Sequence, residues 1–190
     1  MNDTILAATR RLLSRDGYEG VSIDAIAREA AVSRPTVYRR WPSKAHLVFD
    51  AVFDAAGAGD VLATTGAFET DLRRFVHGVF DFWRRPEVAA ATMGILADRH
   101  RDADLYIRTQ QLLDARTRAA FDVLVRDGIR QGVVADDVDI AMAYDVLVGT
   151  TFYTAHVLQP AEADDVAARL CALLLHGAGR TDQPEQGEPR

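Results

Sequence analysis

The stretch from Ser22 to Lys44, SIDAIAREAAVSRPTVYRRWPSK, contains two short helical patterns separated by a break. In the first pattern, apolar residues recur at the three- and four-residue spacing of a single helix face, at Ile23, Ile26, Ala27 and Ala30. Ser22 precedes this pattern as a predicted N-cap. We therefore expect an amphipathic helix that buries one face.

The second pattern begins after the break at Ala31 and Val32. Ser33 can cap the new helix, and its first turn tolerates Pro35 because the N–H groups there have no intrahelical acceptor. The residue before a proline leaves the α region, so this helix should end at Trp41-Pro42. Two short helices joined by a tight turn predict a helix-turn-helix.

The residues left outward on the second helix, with those that flank it, are suited to DNA. Arginine pairs with guanine or phosphate, threonine with a base, and tyrosine and lysine with phosphate oxygens. No acidic residue occurs between Glu29 and Asp50. The alternative is that this arginine-rich helix is only a solvated face, but the caps and the turn spacing favour a DNA-binding surface. Its candidate residues are Ser22, Ser33, Arg34, Pro35, Thr36, Tyr38, Arg39, Arg40 and Lys44.

From Ile5 to Asp54 the chain resembles the DNA-binding domain of the TetR (tetracycline-repressor-like) transcriptional regulators. The ordered matches are Ile5-Leu6 with Ala8 and Leu12, Gly17-Tyr18, Val21-Ser22-Ile23, Ile26-Ala27, Ala30-Ala31-Val32-Ser33, Thr36-Val37-Tyr38, Trp41, Ser43-Lys44 and Leu47. One position departs from the pattern: Ala31 stands in the turn where the family commonly has glycine. If that residue must adopt a positive φ, alanine costs about 1 kcal/mol relative to glycine.

The resemblance implies a mechanism as well as a fold. Arg34, Thr36, Arg39 and Arg40 would approach base edges, whereas Ser22, Tyr38 and Lys44 would hold the DNA backbone. The resembled proteins are homodimers that bind double-stranded operator DNA, and most are repressors. A small-molecule effector in the body would shift the fourth helix and change the separation of the two DNA-binding domains of the dimer. We therefore expect a homodimeric repressor that a small ligand releases from its operator.

The charge distribution agrees with a DNA-binding segment on an acidic body. The first 50 residues hold eight Lys or Arg and six Asp or Glu, whereas the whole chain of 190 residues holds 22 and 28. Phosphates respond mainly to charges within a Debye length of about 10 Å, so the overall net charge of −6 does not argue against DNA binding.

Helical periodicity continues beyond residue 50 without a convincing strand, so the predicted fold is all-α with about nine helices. We expect a three-helix DNA-binding domain over 1–48, a helical regulatory and dimerisation domain over 49–179, and a disordered tail over 180–190, which lacks apolar residues. Glycines and prolines separate the predicted body helices, at 43–55, 68–84, 87–99, 104–131, 138–158 and 162–176.

The last two predicted helices, at about 138–158 and 162–176, are apolar on more than one face. Either both helices are ordinary core, or part of their apolar surface is covered by a second copy. In the resembled family these helices pair with their two-fold mates, which favours a homodimer through them. Two DNA-binding domains about one DNA turn (~34 Å) apart would then bind one operator.

The middle helices carry the candidates for an effector site, and the resemblance, not the composition, implies that such a site exists. Small-molecule sites are mainly apolar with a few polar groups. Each candidate can equally be ordinary core. The candidates are Phe75, Trp83, Met93, Tyr106, Gln110, Tyr144, Thr151 and Phe152.

Several function classes find no support in the sequence. The five histidines lack the spacings that converge a metal site on one helix face, and no nucleophile elbow or phosphate loop occurs. We expect no metal, no cofactor and no enzyme activity. A single cysteine, Cys171, with no signal peptide and no apolar run long enough to span a bilayer, predicts a cytoplasmic protein without membrane association.

Two other functions remain open at this point. One is a constitutive DNA-binding protein whose body recruits a protein partner and binds no small ligand, which a fully packed body would favour. The other is a catalytic or carrier protein that merely retains the helix-turn-helix. Loss of DNA binding together with turnover of a bound compound would favour the second.

Overall fold

The computed structural model describes residues 1–54, 64–158 and 163–178, and these ranges contain helices and no strand. The all-α prediction is confirmed. The N-terminal helices are α1 (Asn2–Gly20), α2 (Ile23–Glu29), α3 (Arg34–Tyr38) and α4 (Lys44–Phe49), which continues as a π-helical turn (Asp50–Asp54). The body helices are α5 (Phe68–Arg84), α6 (Pro86–Arg99), α7 (Ala103–Arg108), α8 (Arg116–Arg130), α9 (Ile140–His156) and α10 (Ala163–Ala178).

Three serines cap the N-terminal helices. Ser22 accepts a hydrogen bond from the Ala25 amide at the start of α2. Ser33 and Ser43 cap α3 and α4 in the same way. Pro35 lies in the first turn of α3, where its missing N–H costs no helical hydrogen bond. The predicted start of each helix of the helix-turn-helix is therefore confirmed, whereas α3 ends at Tyr38, before the predicted end at Trp41-Pro42.

The last turn of α1 is broken at Gly17, which has φ 68° and ψ 175°. This conformation favours glycine because a Cβ would be strained there. The break turns Tyr18 inward, where its side chain is buried and its hydroxyl donates to Asp98 Oδ2 of α6 at 2.5 Å. The Gly-Tyr pair thus fastens α1 to the body.

Ala31 lies in the turn between α2 and α3 with φ 54°, the single non-glycine residue of positive φ in the described ranges. An L-residue pays a steric penalty in this region because its Cβ approaches the carbonyl oxygen. Ala31, which stands where the resembled family commonly has glycine, is therefore at a position where glycine would be less strained.

We predict that Ala31→Gly raises the free energy of unfolding by up to about 1 kcal/mol, because it removes this penalty. Chemical denaturation followed by circular dichroism measures the change. Ala30→Gly is the matched control: Ala30 has φ −84°, so glycine gains nothing there and adds only flexibility. Equal losses in both variants would contradict the prediction.

The predicted seventh helix, 104–131, is one run of helical backbone made of α7, a π-helical segment (Thr109–Ala115) and α8. Counted this way, the described helices match the predicted nine. The tail 180–190 and part of the predicted loop after α4 lie outside the described residues.

The buried apolar residues form two cores. The first joins the N-terminal helices to Val88, Ala91 and Ile95 of α6 and to Leu105 of α7. The second lies among α5, α8, α9 and α10. Because the first core contains residues on both sides of residue 48, the DNA-binding helices rest directly on the body. The domain limits at 48 and 179 stay predictions.

Asp71, in the first turn of α5, organises the preceding loop. Its buried carboxylate accepts hydrogen bonds from the Thr64 hydroxyl, from the amide and hydroxyl of Thr65, and from the Gly66 amide, at 2.8–3.2 Å. Burial opposes ionisation, but these hydrogen bonds together lower the pKa of Asp71 below its ordinary 3.8.

We predict that Asp71→Asn lowers the unfolding free energy by about 1–3 kcal/mol at neutral pH, because amide donors then face an amide group. A carboxyl whose pKa is lowered on folding stabilises the fold above its unfolded pKa and loses this effect as pH falls through the folded value. The difference between wild type and variant should therefore shrink below about pH 3.8. Denaturation at several pH values measures it, with the exposed Asp81→Asn as control; a difference that stays constant down to acid pH would count against this role.

Candidate DNA interface and its attachment to the body

Helix α3 presents the predicted DNA-binding residues on its outer face. Val37 and Trp41 are buried on the inner side and hold the helix against the first core. Tyr38, Arg39 and Arg40 are exposed, and Tyr38 keeps 46% of its surface accessible. Within the described residues, no ion pair involves Arg39 or Arg40, so both guanidinium groups are available to phosphate or to base edges.

Other candidate residues have partners inside the protein. Ser33 and Thr36 share a hydrogen bond between their hydroxyls at 2.8 Å. Arg34 forms an ion pair with Asp24 of α2. Both groups of this pair are well exposed, so DNA can compete for Arg34 at modest cost. Ser22 and Pro35 are also exposed beside the same surface.

Lys44, at the start of α4, is less free than the sequence suggests. Its Nζ donates to the Tyr18 carbonyl at 2.9 Å and lies 4.1 Å from the centroid of the Tyr18 ring. An ammonium has three donors, so a phosphate contact remains possible beside this bond. Lys44 therefore fastens α4 to the end of α1.

Polar contacts join the end of α3 and both ends of α4 to α7, and the sequence reasoning missed them. Trp41 Nε1 donates to Asp50 Oδ2 at 2.7 Å, and Arg108 Nη1 donates to Asp50 Oδ1 at 3.2 Å. The buried His46 contacts Ser43 Oγ through Nδ1 at 2.8 Å and Asp104 Oδ2 through Nε2 at 3.1 Å. A displacement of α7 must therefore move or break contacts that hold α3, the recognition helix.

The contact between α1 and α6 is tight at one point. Gly94 of α6 faces the Tyr18 ring, and a Cβ at this position would overlap ring atoms Cγ and Cδ1. Burial, followed by the bond to Asp98, raises the pKa of Tyr18 above its usual value, so its phenol stays protonated and donates. In the sequence, only the Gly17-Tyr18 pair indicated this contact. Its partners on α6, Gly94 and Asp98, belong to no recognisable motif.

The body candidates for an effector site separate into two groups. Trp83 and Phe152 lie together, with ring centroids 5.5 Å apart. Phe75 and Tyr144 are joined through Phe121, at centroid distances of 5.5 and 5.8 Å. Thr151 is buried nearby on α9, and its hydroxyl donates to the Val148 carbonyl.

The other three candidates lie elsewhere. Met93 is 59% exposed on α6, and Tyr106 is exposed on α7 beneath the Arg99 guanidinium. Gln110 is also exposed. All three are exposed, and the structure does not bring them into the aromatic group.

Two further residues complete the group around Trp83, and of these the sequence reasoning missed His156. His156 of α9 lies 5.5 Å from Trp83 and 4.7 Å from Phe152 between ring centroids. Phe82 lies 5.1 Å from Trp83. Burial lowers the pKa of His156, so its imidazole is neutral at pH 7. The spacing of Phe152 and His156, one helical turn apart, was the available signal.

In the described part of the chain, no three His, Cys, Asp or Glu residues come together as a possible metal site. The same residues include no helix that is long and apolar enough to cross a membrane.

Comparison with known proteins identifies the class that this architecture defines. Residues 5–51 match the family described as bacterial regulatory proteins, tetR family, and residues 62–174 match the tetracyclin repressor-like C-terminal domain. The chain therefore belongs to the tetR family and is a DNA-binding transcriptional regulator.

Individual relatives agree. The DNA-binding transcriptional repressor TetR of Mycobacteroides abscessus is 30% identical over 146 residues, which cover 75% of each chain. An HTH-type transcriptional regulator of Mycobacterium tuberculosis is 28% identical and is matched over 93% of this chain and 87% of its own length. Both relatives are named as transcriptional regulators.

Solved structures share the fold along nearly the whole chain. The TetR family transcription regulator SCO0332 superposes with a TM-score of 0.72 at 27% identity and covers 94% of this chain and 98% of its own. The regulator FadR of Bacillus subtilis, solved with stearoyl-CoA, has a TM-score of 0.74 at 18% identity and covers 93% and 99%.

Proposed function

We propose that this protein is a homodimeric repressor released from its operator by a small-molecule effector bound in the body. The observation that carries the proposal is the double attachment of α4. Asp50, where α4 continues as a π-helical turn, accepts hydrogen bonds both from Trp41, which follows the recognition helix, and from Arg108 of α7. A ligand that prefers one position of the body helices thereby changes the DNA affinity, and a coupling of about 1–3 kcal/mol suffices.

The relatives support effector control. FadR of Bacillus subtilis was solved with stearoyl-CoA, and a regulator from Saccharomonospora viridis was solved with choline. The ligand chemistries differ greatly, so they support the presence of an effector and not its identity.

DNA binding is tested by selecting random or genomic fragments with the purified protein and measuring affinity for the recovered sequence by fluorescence anisotropy. We expect an inverted repeat whose half-sites are spaced by about one helical turn. Effector control is tested on that operator with a compound library and a reporter. Binding that no compound alters, together with a reporter that is constantly repressed, would support the constitutive alternative.

The proposed dimer interface consists of α9 and α10. Both helices expose large apolar side chains that a monomer would leave in water, at Met142, Tyr153, Val157 and Leu173. Apolar surface of this kind is typical of a protein interface. The approximate ranges 138–158 and 162–176 predicted from the sequence contain all four.

We predict that Leu173→Arg converts the dimer to a monomer, because the dimer interface would then bury a charge without a partner. Operator affinity should fall at least a hundredfold, because a monomer has one DNA-binding domain and contacts one half-site. Light scattering after size exclusion measures the mass, and anisotropy measures the affinity. Met93→Arg is the matched control, since Met93 and Leu173 are both 59% exposed and only Leu173 lies in the proposed interface. A dimeric Leu173→Arg protein would place the interface elsewhere.

A further inference from the structure

Trp83 occupies a special position in the body. It lies in the last turn of α5 and packs against both hydrophobic cores. Phe82, Phe152 and His156 surround its ring at centroid distances of 5.1–5.5 Å. We call these four residues the Trp83 cluster.

The Trp83 cluster contains two buried polar atoms without partners. Among the described residues, neither Trp83 Nε1 nor His156 Nε2 has a hydrogen-bond partner, although both are shielded from solvent. Buried polar atoms are nearly always hydrogen-bonded in folded proteins, since leaving them unpaired is costly. Two such atoms on contacting rings indicate a place where a polar group from outside is accommodated.

The chemistry of the two atoms limits what that group can be. An indole N–H only donates, so the group must accept a hydrogen bond. A neutral imidazole nitrogen either donates or accepts. A hydroxyl group both donates and accepts, so it can pair with Trp83 Nε1 and with either tautomer of His156.

The other ring surfaces are those of Phe82, Trp83 and Phe152, which favour contact with another flat apolar ring. We infer that the Trp83 cluster binds an uncharged aromatic molecule that carries a hydroxyl group, a phenol in chemical class, as the effector. This inference rests on the proposed function only in calling the bound molecule an effector.

Charged ligands fit the same atoms poorly. An ammonium group cannot accept a hydrogen bond from Trp83 Nε1. A carboxylate can accept, but it would lose its hydration beside a neutral imidazole that supplies no compensating charge.

A chain of aromatic contacts leads from the cluster to the DNA-binding helices. The Phe82 ring lies 5.8 Å from Phe53, and Phe53 lies 5.3 Å from Phe49, between centroids. Phe49 is the last residue of α4 and is fully buried in the first core. A ligand that displaces Phe82 or Trp83 would thus press on the helix that positions the recognition helix.

Nuclear magnetic resonance of the indole groups in the full-length protein tests the contact directly. The chain has two tryptophans, and the Trp41 indole already donates to Asp50, so its signal is an internal reference. We expect 2-naphthol to shift the Trp83 N–H proton downfield and naphthalene to leave it near its position, with Trp41 unchanged by either. An unmoved Trp83 signal at saturating 2-naphthol overturns the inference.

Calorimetric titration measures the selectivity. We expect wild type to bind 2-naphthol about tenfold more tightly than naphthalene, the effect of one hydrogen bond, and more tightly than 2-naphthoate. Trp83→Phe and His156→Phe keep a ring at each position, so they should remove most of this preference with little change in naphthalene affinity. His77→Phe, the same substitution at an exposed histidine of α5, is the control and should keep the preference.

The outcomes separate this inference from the proposed function. Equal affinity for 2-naphthol and naphthalene in wild type, or a preference retained in both cluster variants, overturns the phenol class even if operator binding responds to another compound. Selective 2-naphthol binding that leaves operator affinity unchanged supports the ligand class and removes its effector role. Thermal unfolding followed by circular dichroism verifies that each variant is folded. The NMR test of the Trp83 indole uses the wild-type protein and therefore does not depend on the folding of any variant.

Discussion

Gly94→Ala is expected to lower the free energy of unfolding by up to about 3 kcal/mol, a large effect for one methyl group. The new Cβ would overlap the Tyr18 ring. This ring cannot easily move, because its hydroxyl is bonded to Asp98 and Lys44 lies over its face. The contact between α1 and α6 would have to open, and the DNA-binding helices would lose the packing that holds them against the body.

Chemical denaturation measures the loss, and a double-mutant cycle assigns its cause. Tyr18→Ala removes the overlapping atoms, so adding Gly94→Ala to that variant should cost little further stability. Tyr18→Phe keeps the ring but removes its bond to Asp98, so it should give less relief than Tyr18→Ala. Gly177→Ala is the control, because a Cβ there meets nothing within 4 Å. An equal cost of Gly94→Ala with and without the Tyr18 ring would mean that helix packing elsewhere is responsible.

The local elements of this protein could be predicted because their signals are local. The caps Ser22, Ser33 and Ser43 each act within three residues of the amide they bind, so sequence alone located α2, α3 and α4. The positive φ of Ala31 was considered because the resembled family commonly has glycine at this turn position. The limits of α5, Phe68–Arg84, also follow from one proline and one apolar period.

The contacts between distant elements could not be predicted in the same way. Tyr18 bonds to Asp98 and His46 to Asp104, pairs that are 80 and 58 residues apart. Periodicity identifies the buried face of a helix but not the helix that covers it. For this reason Trp83 and Phe152 were selected without His156, whereas Tyr106 was selected although it is exposed. The π-helical segments at the ends of α4 and α7 were also missed, since an extra residue in one turn leaves almost no trace in a 3.6-residue period.

Arg39→Ala is expected to weaken binding to the selected operator by about 1–3 kcal/mol and to relax the base preference at one position of each half-site. Arg39 is the exposed C-cap of α3 and has no ion-pair partner within the described ranges, so its guanidinium can meet a base edge. In the proposed dimer each copy contributes one Arg39, so affinity should fall at both half-sites. Affinities for single-base variants of the operator, measured at one salt concentration, show which position loses its preference.

The salt dependence of the same binding distinguishes phosphate contacts from base contacts. Each lost phosphate contact lowers the slope of log K against log salt by about 0.9 for duplex DNA. Tyr38→Phe removes only a neutral hydroxyl and should weaken all sequences alike with little change in slope. Lys44→Ala should lower the slope and also lower stability, because Lys44 holds the Tyr18 carbonyl. Arg126→Ala on α8 removes one positive charge far along the chain from α3 and should change neither slope nor specificity. A base preference that survives Arg39→Ala unchanged, with a lowered slope, would reassign Arg39 to the DNA backbone.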